Sequence, residues 1–242
     1  MRAAAIPPVG LAVGLAATLA VAAPSATAGT RDEPGAPGVG DGYFPRAGNG
    51  GYGVRHYLLD LTYHPRARHL EGVATIRATA TDDLSTFDLD LHGFEISRLT
   101  VDGRPAGFRR DGQELVISPR PRLADGETFI VRVRYSGRTG RPVDVTGSLY
   151  GWVSMPDGAL VANEPDGAPT WYPVNDHPTD KATYDFRVTV PAGKTAVANG
   201  DLSVLADPRG VDDVGVARRR SDGELPVHGI DRRLSAARVH HP

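Results

Sequence analysis

The chain has 242 residues, enough for one large hydrophobic core or two small ones. Its 27 Lys and Arg against 29 Asp and Glu leave a net charge of −2, which does not supply the basic field of a nucleic-acid binder. It has no cysteine, so a disulfide framework, cysteine–metal ligation and a thiol nucleophile are excluded.

The opening MRAAAIPPVGLAVGLAATLAVAAPSATAGT has a positive start at Arg2, an apolar run from Val9 to Ala23 and a small-residue end. Ala26-Thr27-Ala28 fits an A-x-A cleavage site, so residues 1–28 read as a signal peptide, and a secreted, extracellular chain starting at Gly29 is expected. The apolar run is shorter than the ~20 residues a spanning helix needs, so no membrane span is expected. Arginine outnumbers lysine 25 to 2, a bias that points to GC-rich coding more than to a partner. Residues 29–53 are dominated by Gly and Pro without an apolar period and read as a flexible lead-in.

Alternation at period two then begins, the mark of half-buried strands. Tyr57, Leu59, Leu61 and Tyr63 point one way, with Asp60 and Thr62 opposite. Ala74, Ile76, Ala78 and Ala80 alternate with Thr75, Arg77 and Thr79. Phe87, Leu89 and Leu91 alternate with Asp88, Asp90 and His92, which places the second set on a polar face. Phe129, Val131, Val133 and Tyr135 alternate with Arg132 and Arg134. Asp102-Gly103, Asp111-Gly112 and Asp125-Gly126 suit tight turns between short strands. Asp185–Pro191 and Thr195–Ala198 read as further strands. No stretch holds an apolar stripe at helical spacing for three turns, so an all-β, antiparallel sandwich or open barrel is expected over 54–205. Residues 206–242 lack Phe, Tyr, Trp, Thr and Lys and carry an Arg218-Arg219-Arg220 run. They read as a disordered or out-of-frame tail.

No histidine begins an H-E-x-x-H, no G-x-S-x-G elbow occurs, and no Gly-rich loop precedes a Lys-Ser/Thr pair. By its own residues the chain carries no catalytic set and no metal site. The unusual segment is Asn163–Phe186, NEPDGAPTWYPVNDHPTDKATYDF, polar, aromatic and stiffened by four prolines. Asp176-His177 reads either as half of an acid–base or metal pair, with Asp180 or Asp185, or as a turn before Pro178. Trp171 and Tyr172 read either as a platform for a sugar ring or as core packing. Glu164 is a carboxylate on a stiff loop, suited to anchoring a cationic group.

This segment resembles, without gaps, the E-P-x-x-A-x-x-x-(F/Y)-P-C-x-D-x-P-x-x-K-A-x-(F/Y) stretch of the aminopeptidase N family of zinc metallopeptidases, especially its secreted actinobacterial members. Glu164-Pro165, Ala168, Tyr172-Pro173, Asp176, Pro178, Lys181-Ala182 and Tyr184 all fall in place, with Val174 where the family has cysteine. The resemblance covers about Gly40 to Val204 and implies the amino-terminal domain, a saddle-like β-sandwich. It implies that Glu164 binds the α-amine of a peptide amino terminus, with Asp176, Lys181 and the aromatics holding the loop. Zinc would belong to the full-length family. The G-A-M-E-N loop, the H-E-x-x-H and the third-ligand glutamate of the catalytic domain have no counterpart in these 242 residues. The resemblance therefore implies a truncated or frameshifted form, inactive alone. A free-standing module that binds peptide or glycan through Glu164, Trp171 and Tyr172 is the alternative expectation.

Overall fold

The alternating stretches form strands, because period two puts every second side chain on one face of a pleated ribbon. The computed structural model describes residues 35–45, 47–144, 146–163 and 166–198, with the backbone of three later strands. In chain order the strands are β1 (Tyr52–His64), β2 (His69–Ala80), β3 (Phe87–Asp90), β4 (Glu95–Val101), β5 (Arg104–Pro105), β6 (Gly107–Asp111) and β7 (Glu114–Ser118). Next come β8 (Thr128–Arg138), β9 (Gly151–Met155), β10 (Gly158–Asn163), β11 (Thr183–Thr189), β12 (Asp201–Leu205), β13 (Val214–Arg219) and β14 (Arg232–Leu234). The signal peptide expected at 1–28 lies outside the described residues, as does Glu164.

A long sheet runs in the order β12-β13-β11-β1-β2-β8-β4-β5, and two three-stranded sheets have the orders β3-β7-β6 and β14-β10-β9. The inward row of the long sheet, Leu59, Leu61, Ile76, Phe129, Val131 and Val133, packs in one core with Phe87, Leu89, Leu115 and Ile117 of the β3–β7 sheet. Phe87 bridges the layers, its ring 5.6 Å from Tyr52 and 5.2 Å from Phe129. The fold is all-β, as expected. A bulge between Val54 and His56 shifts the phase of β1, so Tyr52 and Val54 join the same core as Tyr57. The turn at Asp102-Gly103 joins β4 to β5 with φ of 49° and 77°, the left-handed pair that a tight hairpin requires.

The structure adds to the sequence expectation at several points. Among the described residues the strand pairs are antiparallel except β1–β11, which is parallel from His56↔Thr183 to Thr62↔Thr189. β11 enters beside β1 after more than a hundred intervening residues, so no hairpin forces the opposite direction. Residues 195–198 are not strand. Asp88 and Asp90, expected on a polar face of β3, are buried, and Val174 and Asp176 of the segment before β11 cover Asp90. Among the later strands, β13 pairs with both β11 and β12, and β14 pairs with β10.

Part of the stretch read as a lead-in is packed: the Gly35 N–H donates to the Thr86 carbonyl at 2.8 Å, and Asn49 is buried. Among the described residues no helix is long and apolar enough to cross a membrane.

Candidate functional site

Residues 163–183 carry the chain from β10 to β11, and their prolines cannot donate to a ladder, so the segment must find other anchors. It begins the described part with a single turn of 3-10 helix, Ala168–Thr170, with Pro169 in its first turn, where a missing N–H is harmless. Thr170 Oγ1 accepts the Trp152 N–H at 2.8 Å and donates to the Gly167 carbonyl at 2.6 Å, tying the turn to β9. Gly167 and Gly151 touch backbone to backbone. Gly167 has φ +120°, and a Cβ there would lie 2.7 Å from the Gly151 nitrogen.

Trp171 follows and is 2% exposed. Its ring centroid is 4.4 Å from Tyr172, 5.9 Å from Trp152 and 6.2 Å from Phe186. Tyr172 meets Tyr57 edge-on at 5.7 Å. The buried Tyr135 hydroxyl donates to the Trp171 carbonyl at 2.9 Å, and the Tyr57 hydroxyl accepts the Asn175 N–H at 3.0 Å. Side chains of this size bury well over 100 Å² each, so the aromatic cluster is the main apolar anchor of the segment. Burial also answers the platform question. Trp171 and Tyr172 present no free face to a sugar, and this corrects the glycan-stacking expectation: they are packing.

The polar anchors lie further on. Asn175 Oδ1 accepts the Asn49 N–H at 2.6 Å and Asn175 Nδ2 donates to the Asn49 carbonyl at 3.1 Å, so one side chain completes the backbone of a segment 126 residues away. Val174 exchanges two backbone hydrogen bonds with Asp90, of 2.8 and 3.0 Å, as a one-residue addition to β3. Asp176 donates its N–H to Asp90 Oδ2 at 3.1 Å, and its own Oδ2 accepts the Gly167 N–H at 3.3 Å. Burial, with the nearby Glu114 next, pushes the Asp90 carboxyl up to about 8. Burial likewise raises Asp88.

His177 is buried, with Nδ1 2.7 Å from Thr179 Oγ1 and Nε2 3.2 Å from Asp41 Oδ2. Two backbone hydrogen bonds to the Asp41 side chain lower that carboxyl, ahead of the contribution from His177. Asp176-His177 is therefore the turn of the two sequence readings. Asp176 closes the loop on Gly167, while His177 clasps the 41–48 stretch. Asp180 accepts the Val54 N–H at 3.0 Å, away from any metal geometry. Among the described residues no group of three or more His, Cys, Asp or Glu could hold a metal ion. The described residues do not fit a zinc site.

Glu164, with Pro165, lies outside the described residues. The positions on either side are fixed: Asn163 ends β10 and pairs with Arg232, and Gly167 is held by Asp176 and Thr170. Lys181 is exposed. Sequence reasoning missed Asn49, Asp90 and Glu114. The one available signal was the pair of acids two residues apart in β3, which a solvent-facing strand explains equally well.

The peptidase M1 N-terminal domain model matches residues 54–208. Among solved structures, the M1 zinc metallopeptidase from Deinococcus radiodurans is 33% identical with a TM-score of 0.70, covering 76% of this chain and 42% of that one. A mutant M1 zinc metallopeptidase from Deinococcus radiodurans bound to a Tyr-Ser-Ala substrate is 32% identical, with a TM-score of 0.69 and the same coverages of 76% and 42%. A two-domain M1 zinc metallopeptidase mutant bound to L-arginine is 33% identical, with a TM-score of 0.70, again over 76% of this chain and 42% of that one. This chain thus spans about two fifths of the length of these structures. It belongs to the family of peptidase M1 N-terminal domains.

Proposed function

We propose that this chain supplies the substrate-orienting wall of a secreted zinc aminopeptidase, with Glu164 receiving the free α-ammonium group of a peptide. The observation that carries the reading is the double anchoring around Glu164. A β-strand end at Asn163 and a hydrogen-bonded Gly167 leave three residues between fixed points. A carboxylate between two such anchored neighbours would fix the register of an ammonium ion at little entropic cost. Two of the similar structures carry ligands with a free α-amine, Tyr-Ser-Ala and L-arginine, which makes these the natural probes. The 242 residues hold no H-E-x-x-H, so hydrolysis would require residues from outside this sequence.

Calorimetric titration of the purified chain with Tyr-Ser-Ala and with its N-acetylated form tests the proposal. A preference for the free amine that Glu164→Ala abolishes supports it. Equal binding of both forms overturns the role of Glu164. Stoichiometric zinc with release of the amino-terminal residue overturns inactivity of the chain alone.

A further inference from the structure

Asp90 is the residue on which the loop converges. Its N–H donates to the Val174 carbonyl, its carbonyl accepts the Val174 N–H, and its Oδ2 accepts both the Asp176 N–H and Asn49 Nδ2, the latter at 3.1 Å. Its Oδ1 accepts from Gln113 Nε2 at 3.4 Å. Across the β3–β7 ladder its register partner is Glu114, and the two carboxyl groups hydrogen-bond each other. A continuous path therefore runs from Glu114 to Asp90, to Asp176 and to Gly167, three residues from Glu164.

We propose that Asp90 and Glu114 are positioning residues for the Glu164 loop and hold it through a proton shared between their carboxyl groups. The proposal rests on the reading of Glu164 as the amine contact. Two carboxyl groups bond each other only while one of them is protonated. When both ionise, a like-charge pair is left in a site where Asp90 is 1% exposed. Among the described residues, the groups facing Asp90 include no cation to offset it. Asn49 and Tyr52 approach from the β1 side, Gln113 and Glu114 from the β6–β7 hairpin, and Asp176 from the loop. Asp88 lies two residues back on β3 and is also raised by burial. The loop is the partner free to move away, since Asp90 and Glu114 are locked in the same ladder.

The sign follows from the raised value. A carboxyl held at about 8, above its ordinary value of 3.8, contributes stability that is present in full only below about 3.8 and is lost progressively as pH rises from there to about 8. Loop attachment is thus expected to be strongest in acid, to weaken as pH rises toward about 8 and to change little above that, while the sheets persist.

Millisecond-pulse amide exchange on the 242-residue chain, from pH 6 to 10 and corrected for intrinsic rates, reads this directly. In the wild-type chain, protection of residues 166–177 is expected to fall by up to about tenfold per pH unit as pH rises toward about 8 and to level off above it, while β1, β2 and β8 stay protected. Asp90→Asn replaces the shared proton by an amide that donates to Glu114 at any pH, and should remove that fall. Glu114→Gln should do the same from the other side, and covers the case in which Asp90→Asn does not fold. Loop protection that tracks the sheets at every pH in the wild-type chain overturns the proposal, as does an unchanged fall toward pH 8 in both variants.

Tyr-Ser-Ala binding over the same range separates this from the parent reading. The peptide amine also deprotonates near pH 8, but equally for all variants, so the comparison is between wild type and Asp90→Asn. A steeper loss of affinity in wild type as pH rises toward 8 supports coupling of the pair to the amine site, and identical profiles overturn it. Absence of free-amine binding at every pH overturns the reading of Glu164, while the exchange data still decide whether the pair positions the loop.

Discussion

Gly72→Ala provides a sharp test of how the aromatic loop is held. Gly72 lies on the inward face of β2, in register with Tyr135 of β8, and a Cβ built on it would overlap the Tyr135 ring and hydroxyl. The ring must therefore shift, and the hydroxyl leaves the Trp171 carbonyl it now meets at 2.9 Å. Overpacking of this kind costs about 1–3 kcal/mol. Depriving a buried carbonyl of its donor adds about 1–3 kcal/mol, and the lower unfolded-state entropy of alanine returns roughly 0.5–1 kcal/mol. A net loss of about 2–4 kcal/mol is expected, or a Tm drop on the order of 5–15 °C for a domain of this size.

Urea denaturation followed by tryptophan fluorescence measures the effect, since Trp171 and Trp152 are the two tryptophans and both report on this cluster. Tyr135→Phe is the control that removes only the hydroxyl, and should cost about 1–2 kcal/mol. In the Gly72→Ala background the same change should cost close to nothing, because the hydrogen bond is already broken. A Gly72→Ala chain within about 0.5 kcal/mol of wild type would refute the packing argument. Strict additivity of the two changes would refute the link from Gly72 to Trp171.

Three further outcomes are expected. Gly167→Ala forces a side chain into a positive-φ position against the Gly151 backbone and should destabilise by more than about 2 kcal/mol in chemical denaturation. Asn175→Ala removes both hydrogen bonds to the Asn49 backbone and should cost about 2–3 kcal/mol. The same change should raise the proteolysis rate in residues 35–50 before the sheets open. Expression with residues 1–28 in a secreting bacterial host should yield an extracellular chain whose Edman sequence begins at Gly29. An unprocessed amino terminus would refute the signal-peptide reading.

The strands and hairpins were legible because the rules behind them span only a few residues. Period-two alternation in 57–63 and 129–135 follows from the geometry of an extended backbone, and Asp102-Gly103 takes the left-handed turn that its residue types favour. The segment 163–186 was also marked by its own composition, and its family resemblance was carried by its residue types alone.

What those residues do was decided by partners far away in the chain. Alternation assigned Asp88 and Asp90 to a polar face, since a strand of four residues carries no sign that a loop 80 residues later will cover it. The burial of Trp171 depends on Trp152, Phe186 and Tyr135, brought together from three other strands. Gly72 reads as a weakness in a strand and proves to be the space that a tyrosine on the next strand occupies. Local backbone preference reaches across one turn or one pleat. Burial of a second face, the pairing of Asp90 with Glu114 across a ladder, and the parallel entry of β11 beside β1 exist only when distant segments meet.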